Sequence, residues 1–464
     1  YQYIINQQIK LLIYRCSMRV AVQKFKSGER YVFLLGDNGL PDFWVTHFVT
    51  QKLRMNHAAT SIEQYLKSIK HLKVWEKING RNLLDEIYNG SVPSRDDIKE
   101  IKEHCAYQAK ALINRPASNV VDMGQFYLSR GDDKPTVGKS QYISRIAHIA
   151  EFLHFIGQER VKHKPTAAAL FDALDNMKKR LKSDMPKGRL KKGSLDKSGI
   201  SDDAFQDFLN VARPDSQHNP FKNPVIKFRN YLIVQTFYET GFRCSELLAL
   251  RISDIGTDID QPTLSVVRRH DSKEDPRLKE PTAKTLGREV AISKQLRDLL
   301  NTYIKVNRNN TTVAKTHPFI FVSHKEKNGH YQSGQPLIQR TINHLFNTIK
   351  SVNPERFWGI SPHFPRHYFN DQLSARIDEV KQAVLEEVKR LEQQGLHQAA
   401  KQYARENTIT EQRELEIRAE LNGHSSLESG RIYLTRTAKK QAHEIRQKMQ
   451  ATLTHKAERG GYVS

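Results

Sequence analysis

The sequence predicts a mainly α protein whose larger C-terminal domain also contains a small β-sheet (α+β). Three observations support this fold class. The chain has 464 residues, enough for several domains at about 100–200 residues each. Hydrophobic residues make up 38% of the chain, which is enough to form hydrophobic cores. Apolar residues recur at helical spacing in the first half, whereas helix-like and strand-like patterns mix in the second half.

The N-terminal part is predicted to combine a small β-rich arm with a helical domain. In residues 1–42, the strand-like segments Arg19–Phe25 and Arg30–Leu35 are joined by a turn at 26–29, which is typical of a hairpin. Residues 43–183 are predicted to form a helical bundle, because apolar residues follow the helical period in five segments: Phe43–Met55, Thr60–Ile78, Asp96–Ile113, Lys139–Ile156 and Thr166–Leu181.

Residues 184–199 are predicted to form a basic linker. Pro186 and three glycines interrupt any helix here, and residues 178–197 contain nine basic and two acidic side chains. Two interpretations stay open: a solvated charged face, and a connector that follows a phosphate backbone. In the second interpretation the residues that contact the phosphates are Lys187, Arg189, Lys191 and Lys192.

Residues 200–456 are predicted to form the mixed C-terminal domain. Its patterns indicate one apolar helix and three short strands, and helical patterns return from Pro336 onward. The helix is Phe228–Glu239, and the strands are Thr263–Arg269, Arg288–Ser293 and Phe319–Val322.

The charge of the chain favours a polyanionic partner. Lysine and arginine exceed aspartate and glutamate by 23, and the isoelectric point is near 9.7. This excess argues against a typical small-molecule enzyme, and it favours nucleic acid first and an anionic membrane surface second.

Several other classes of site are not expected. The three cysteines, Cys16, Cys105 and Cys244, are too far apart for a disulfide framework or a zinc ribbon, and a reducing compartment fits them. No carboxylate cluster or phosphate-binding glycine loop is evident, so we expect no metal and no cofactor. The apolar runs are too short to span a bilayer, and the N-terminal stretch is too polar for a signal peptide.

Three short segments carry residues suited to chemistry on an anion. In the first, residues 240–250, Gly241 is expected to end a helix and Glu246 to lie on the next one. Arg243 then lies at a helix start, where backbone N–H groups favour an anion. Taken alone, a surface arginine near a turn is the commoner interpretation.

The second segment is residues 361–369. His363 and Arg366 are three residues apart and are expected on one helical face. An arginine fork can clamp a phosphate, and a histidine beside it can donate or move a proton. His367 is expected to point elsewhere, as a core histidine or as support for the site.

The third segment begins at residue 421. Ser425 and Glu428 have capping-box spacing, so a helix is expected to begin just after His424. Tyr433 would lie about two turns into that helix. The alternative is that Tyr433 has no chemical role and that its ring only packs against other residues.

Together, the three segments resemble the catalytic boxes of the tyrosine recombinases, also called the phage integrase family. The family patterns are Thr-Gly-x-Arg-x-x-Glu-Leu, His-x-x-Arg-His, and Gly-His followed nine residues later by the nucleophilic tyrosine. All three occur here in the family's order, and His424 precedes Tyr433 by nine residues. The resemblance covers residues 200–450 clearly and 43–183 loosely, as the family's core-binding domain.

The resemblance implies a role for each matching residue. Arg243 and Arg366 would bind the non-bridging oxygens of the scissile phosphate, and His424 would hydrogen-bond to the same group. His363 would assist proton transfer at the nucleophile. Tyr433 would attack the phosphorus, giving a 3′-phosphotyrosine and a free 5′-hydroxyl.

The family also uses a hairpin lysine to protonate the leaving 5′-oxygen. Lys284 matches this position best, and Lys273 stays open as the alternative. Glu246 and His367 would support the reacting groups from behind, with Glu246 orienting Arg243 or its helix.

The segment between the second and third boxes is longer than in the family pattern. Arg366 and His424 are 58 residues apart, whereas the family usually has some twenty-odd residues between these boxes. The extra residues, about 373–420, are helical in pattern, and acidic side chains outnumber basic ones there. Two interpretations stay open: a helical hairpin that packs on its own domain, and a contact with another protomer. A C-terminal helix is expected after Tyr433.

The sequence therefore predicts a site-specific DNA recombinase or integrase of a phage or other mobile element, acting without ATP. Its expected partners are double-stranded DNA and further copies of itself, as a tetramer on paired sites and a monomer without DNA. Accessory DNA-bending proteins stay open as partners, and a cytoplasmic, nucleoid-associated location without membrane contact is expected. The alternatives are a type IB topoisomerase, a telomere resolvase, and a catalytically silent DNA-binding protein of the same fold.

Overall fold

The chain divides into two compact units, residues 1–192 and 193–464. The computed structural model describes residues 18–108, 136–185, 202–283, 285–324, 333–424, 426–428 and 431. The division between the units falls inside the predicted linker, and residues 186–199 of that linker lie outside the described residues. The domain bounds therefore stay a prediction.

In the described residues of the first unit, a β-hairpin and six α-helices pack around one core. Strands β1 (Arg19–Lys24) and β2 (Arg30–Leu35) pair antiparallel, with Arg19 opposite Leu35. Tyr31, Val32 and Leu34 of β2 are buried in the same core as the helices. The helices are α1 (Phe43–Phe48), α2 (Ala59–Asn79), α3 (Leu83–Tyr88), α4 (Arg95–Ala106), α5 (Lys139–Val161) and α6 (Ala167–Lys182), with a π-helical turn, Val49–Leu53, after α1.

Local sequence explains these helices. The apolar residues Ile62, Leu66, Ile69, Leu72 and Trp75 of α2 recur at three- and four-residue intervals, and all of them are buried. On α5, a Cβ at Gly157 would lie 2.8 Å from the Leu174 side chain, so the glycine permits the close packing of α5 on α6.

The second unit is also mainly helical, and its described residues contain one two-stranded sheet. Its helices are α7 (Asp202–Ala212), α8 (Pro224–Thr240), α9 (Cys244–Ala249), α10 (Lys294–Thr302), α11 (Gln339–Lys350), α12 (Phe364–Gln393), α13 (His397–Asn407) and α14 (Glu411–Asn422). Strands β3 (Thr263–Val266) and β4 (Arg288–Ala291) pair antiparallel, with Val266 opposite Arg288. The fold is thus mostly helical with small sheets, as predicted. Within the described residues, no helix combines the length and apolar character needed to cross a bilayer.

One predicted strand is wrong. Residues 319–322 make only isolated bridges, between Phe319 and Arg251 and between Val322 and Pro336. Ile320 and Phe321 are nevertheless buried, which accounts for the apolar pattern. Proline cannot donate a backbone hydrogen bond to a strand ladder, so Pro336 limits the pairing at this position.

The predicted insertion at 373–420 is helical. Helix α12 begins in the second box and continues into the insertion, α13 packs against α12, and α14 leads back to the third box. Ile377, Val380 and Val384 recur at helical spacing on α12 and form an apolar stripe. Ile377 and Val384 are buried, and Val380 is exposed. Part of this stripe is therefore covered by the chain itself.

Candidate active site

Arg243 is held at the junction of α8 and α9. Helix α8 ends at Gly241, whose φ of 60° is in the left-handed region that glycine tolerates, and a Cβ there would lie 2.7 Å from the Phe369 ring. The carboxylate of Glu246 accepts from the Arg243 backbone N–H at 3.0 Å and from its Nη1 at 3.3 Å. The Arg243 side chain stays 28% exposed, so its charge can reach a ligand.

Glu246 is the centre of the cluster. Its carboxylate also accepts from Thr285 Oγ1 at 2.7 Å and from Arg288 Nη2 at 3.1 Å, and Arg366 Nη1 lies 4.0 Å away. The side chain is fully buried. Burial alone would raise the pKa of Glu246, but Arg288 and Arg366 outweigh burial and hold this pKa below its ordinary value. The group is therefore a carboxylate at neutral pH.

Arg366 is 1% exposed and lies in the first turn of α12. Its Nη1 donates to the Gly241 carbonyl at 3.0 Å, and its Nη2 donates to the Asn422 carbonyl at 2.9 Å. These bonds fix the guanidinium plane between the ends of α8 and α14. The charge of Arg366 is therefore held in one fixed position within the cluster.

His424 lies beside Arg366 because α14 ends immediately before it. Gly423 caps α14 with a φ of 64°, and a Cβ there would lie 2.7 Å from Arg288 Nη1. His424 Nε2 is 3.5 Å from Arg366 Nη2. Burial, followed by the charges of Arg366, Arg243 and Arg288, lowers the pKa of His424 to about 4. The imidazole is therefore neutral at pH 7 and can hydrogen-bond without adding charge.

The two histidines of the second box form a pair of their own. His363 is exposed at the N-cap of α12, and its ring meets that of His367 edge to face, with centroids 4.7 Å apart. His363 and Arg366, predicted on one face, thus differ in environment, because Arg366 is buried. The catalytic role of His363 and the supporting role of His367 stay predictions.

Two members of the cluster were missed by the sequence analysis. Arg288, the first residue of β4, donates to Glu246, to Thr285 Oγ1 at 3.2 Å and to the Leu421 carbonyl at 3.0 Å. Thr285 also belongs to the cluster, because its Oγ1 donates to Glu246. The sequence offered one weak signal: Arg288 is a charged residue at the start of a predicted strand, four residues after Lys284.

Several predicted site residues lie outside the described residues. These are Tyr433, Lys284 and the linker residues Lys187, Arg189, Lys191 and Lys192. Thr285, which follows Lys284 in the chain, donates to Glu246, whereas Ser272 and Glu274, which flank the alternative Lys273, accept from Arg251. The choice between Lys284 and Lys273 stays a prediction.

The charges of the assembled cluster do not cancel. Three arginines face a single carboxylate, so the net charge is positive even with His424 neutral. The described part of the chain contains no group of three histidine, cysteine, aspartate or glutamate side chains that could hold a metal ion. The arrangement can therefore bind a phosphate and stabilise the charge that develops as the phosphate reacts.

Comparison with protein-family models identifies part of the second unit. Residues 218–382 match the model of the phage integrase family, and this range contains Arg243, Glu246, His363 and Arg366. Residues 218–382 are thus a phage integrase family domain. The match ends inside α12, so His424 lies beyond the matched residues.

Solved structures with low overall similarity include three recombinases. The XerA recombinase has 14% identity over 84% of this chain and 92% of that chain, with a TM-score of 0.30. The XerH recombinase bound to palindromic difH substrate has 14% identity over 89% and 94%, with a TM-score of 0.41. The Tn1549 transposon integrase in complex with transposon right end DNA has 14% identity over 79% and 99%, with a TM-score of 0.33. Comparison with curated proteins found no match.

Proposed function

We propose that this protein is a tyrosine recombinase that cleaves and rejoins duplex DNA through a 3′-phosphotyrosine intermediate on Tyr433. One observation carries the proposal. Arg243, Arg288 and Arg366 converge on the buried carboxylate of Glu246, and His424 lies 3.5 Å from Arg366, so residues of three separate sequence boxes meet in one cluster. Unrelated surface arginines would not share one buried anion.

The cluster suits transfer of a phosphodiester. In the proposed step the Tyr433 oxygen attacks phosphorus, the bond to the 5′-oxygen breaks, and the tyrosine proton leaves with help from His363. Lys284 protonates the departing 5′-oxygen. Arg243 and the anchored fork of Arg366 offset the charge of the transition state, and neutral His424 donates a hydrogen bond to a phosphate oxygen. The phosphotyrosine conserves bond energy, so religation needs no ATP or other cofactor.

A groove in the first unit supports binding of the duplex. It lies between α2 and α5, has a volume of about 680 Å³, and is lined by polar and basic side chains without an aspartate or glutamate. Such a lining favours phosphates and base edges. The lining residues are His57, Ser61, Gln64, Tyr65, Lys67, Ser68, Ser140, Gln141, Ser144, Arg145 and His148.

The proposal extends to assembly and biological role. Recombination of two duplexes needs four strand cleavages, so the protein would act as a tetramer on paired sites within a phage or other mobile element. The linker residues Lys187, Arg189, Lys191 and Lys192 would add contacts with the phosphate backbone. Transfer of strands between two duplexes separates a recombinase from a topoisomerase, which relaxes a single duplex by the same chemistry.

The deciding experiment traps the covalent intermediate. Nicked duplexes from a DNA pool selected by binding to the full chain let the 5′-hydroxyl fragment escape, so the adduct accumulates. We expect a denaturant-resistant adduct with the unmodified protein and none with Tyr433→Phe, which loses only a hydroxyl. Tyr403→Phe, the same change on α13, is the matched control and should form the adduct normally. An adduct with Tyr433→Phe, or no adduct with any selected DNA, would contradict the proposal.

A further inference from the structure

Two asparagines join α12 to α14 behind the site. Asn370 and Asn422 are each 1% exposed. Asn370 Nδ2 donates to Asn422 Oδ1 at 3.1 Å, and Asn422 Nδ2 donates back to Asn370 Oδ1 at 2.9 Å. Each Nδ2 also donates to the carbonyl four residues earlier in its own helix, Arg366 for Asn370 and Arg418 for Asn422. Both amide groups are therefore satisfied by each other and by their helices.

Such a pair fixes the alignment of the two helices. A buried amide without partners is costly, so sliding or rotating one helix against the other would leave polar atoms unpaired. An apolar pair of similar size tolerates many more arrangements, because dispersion contacts have little directionality. Setting the register of two helices is the best-attested role of a buried asparagine pair.

The pair also holds both ends of Arg366. Asn370 binds the backbone carbonyl of Arg366, and the backbone carbonyl of Asn422 accepts from Arg366 Nη2 at 2.9 Å. Asn422 lies two residues before His424, whose Nε2 is 3.5 Å from the same Nη2. The chain leaves the site past Asn370 and returns through Asn422 after 52 residues.

We infer that Asn370 and Asn422 are positioning residues that set the distance between Arg366 and His424 across the insertion. The effect on rate rests on the function proposed above. The effect on the surroundings of His424 does not, because it depends only on how α14 is held against α12.

The test is a double-mutant cycle with Asn370→Leu, Asn422→Leu and the double variant, all in the full chain. Each single change leaves one buried amide without its partner and should lower Tm. The double change removes both amides and should recover most of the lost Tm. The double variant should nevertheless form the Tyr433 adduct roughly 10–100-fold more slowly in a single turnover at saturating DNA, because misplacement of a reacting group by about 1 Å has effects of that size. The Kd for DNA should stay within about twofold.

A second readout does not require catalysis. The titration of His424 by NMR should show a pKa that rises from about 4 toward the ordinary value of 6.5 in the double variant. The reason is that His424 would be less buried and farther from the charge of Arg366. The matched control is Asn230→Leu, which removes another asparagine of 1% exposure that bonds to the Arg229 side chain. It should lower Tm without changing the adduct rate per folded molecule or the His424 titration.

Recovery of both Tm and adduct rate in the double variant would overturn the inference and leave the pair a structural role only. An equal loss of rate in Asn230→Leu would also overturn it. If the unmodified protein forms no Tyr433-dependent adduct, the proposed function fails, and the His424 titration alone then decides the inference.

Discussion

Each unit buries an arginine beside a histidine, but the two clusters end on different partners. In the first unit, Arg145 Nη1 lies 3.0 Å from His71 Nε2 and donates to the carbonyls of Cys105 and Tyr107 at the end of α4. The His71 and His104 rings lie 4.4 Å apart, and each reaches the other's backbone carbonyl. The side chains of this first-unit cluster thus bind backbone carbonyls, and these bonds hold α2, α4 and α5 together.

In the second unit, Arg366 and His424 belong to a cluster that converges on a side-chain carboxylate, Glu246, and reaches solvent through the 28% exposed Arg243. Both clusters lower a histidine pKa, to about 3 for His71 and about 4 for His424. A buried arginine–histidine pair with a depressed pKa is therefore no sign of function by itself. A shared side-chain anion and a charged group open to solvent are what distinguish the candidate active site.

The largest expected effect is from Glu246→Gln. Removing the carboxylate leaves Arg288 and Arg366 buried without their anion, which should lower the free energy of unfolding by about 3–5 kcal/mol. The pKa of Glu246 is lowered in the folded state, so its stabilisation is complete above the ordinary pKa of 4.5 and is lost as the pH falls through the folded value. Denaturant unfolding from pH 3 to 7 checks both points. An unfolding free energy unchanged at pH 7 would mean that Glu246 is not the centre of the cluster.

Arg243→Gln and Arg145→Gln should have opposite consequences. Loss of Arg243 should slow adduct formation by about 10²–10³-fold, the usual effect of removing one transition-state donor, and should leave Tm nearly unchanged because the side chain is partly exposed. Loss of Arg145 leaves buried carbonyls unpaired, at about 1–3 kcal/mol each. Because Arg145 lines the proposed duplex groove and does not belong to the candidate active site, its loss should not alter the rate per folded molecule at saturating DNA. Single-turnover rates and Tm are measured on both variants. Equal rate losses would remove the distinction between the clusters.

Gly423→Ala and Gly395→Ala compare two left-handed glycines that end helices. Both have positive φ, 64° and 74°, so both should lose about 1–2 kcal/mol from backbone strain. Only at Gly423 does the new Cβ meet the cluster, 2.7 Å from Arg288 Nη1, whereas nothing lies within 4 Å at Gly395. We expect a larger loss of Tm and a slower adduct rate for Gly423→Ala alone. Matching behaviour of the two variants would show that the contact with Arg288 is readily relieved.

The last comparison concerns the pH dependence of stability. His71 and His424 bind a proton in the unfolded chain near pH 6.5 but not in the folded one until about pH 3 and 4. Their contribution is therefore complete above pH 6.5 and is lost as the pH falls through the folded pKa values, with a slope below about 1.4 kcal/mol per pH unit for each histidine. His424→Gln should reduce the slope of unfolding free energy between pH 6.5 and 4, and the remaining slope, which is due to His71, should continue down to about pH 3. A slope unaffected by His424→Gln would contradict the assigned protonation state of His424.

Local sequence determined the elements and the identity of several site residues. The helical period placed α2 and α5, because a side chain that repeats every three or four residues faces one side of a helix whatever surrounds it. Gly241 was correctly predicted to end a helix and Glu246 to lie on the next one. The three boxes likewise named Arg243, Arg366 and His424 before any contact among them was known.

Only the tertiary structure decided which groups meet. Arg288 is 42 residues from Glu246 and 133 from Leu421, yet it bonds to both. Asn370 and Asn422 form a pair across the insertion, and residues 319–322 remain without a ladder although their pattern is that of a strand. The physical reason is that periodicity and capping act over one or two helical turns. The burial of a charge or an amide, by contrast, depends on the partner that packing delivers from a distant part of the chain.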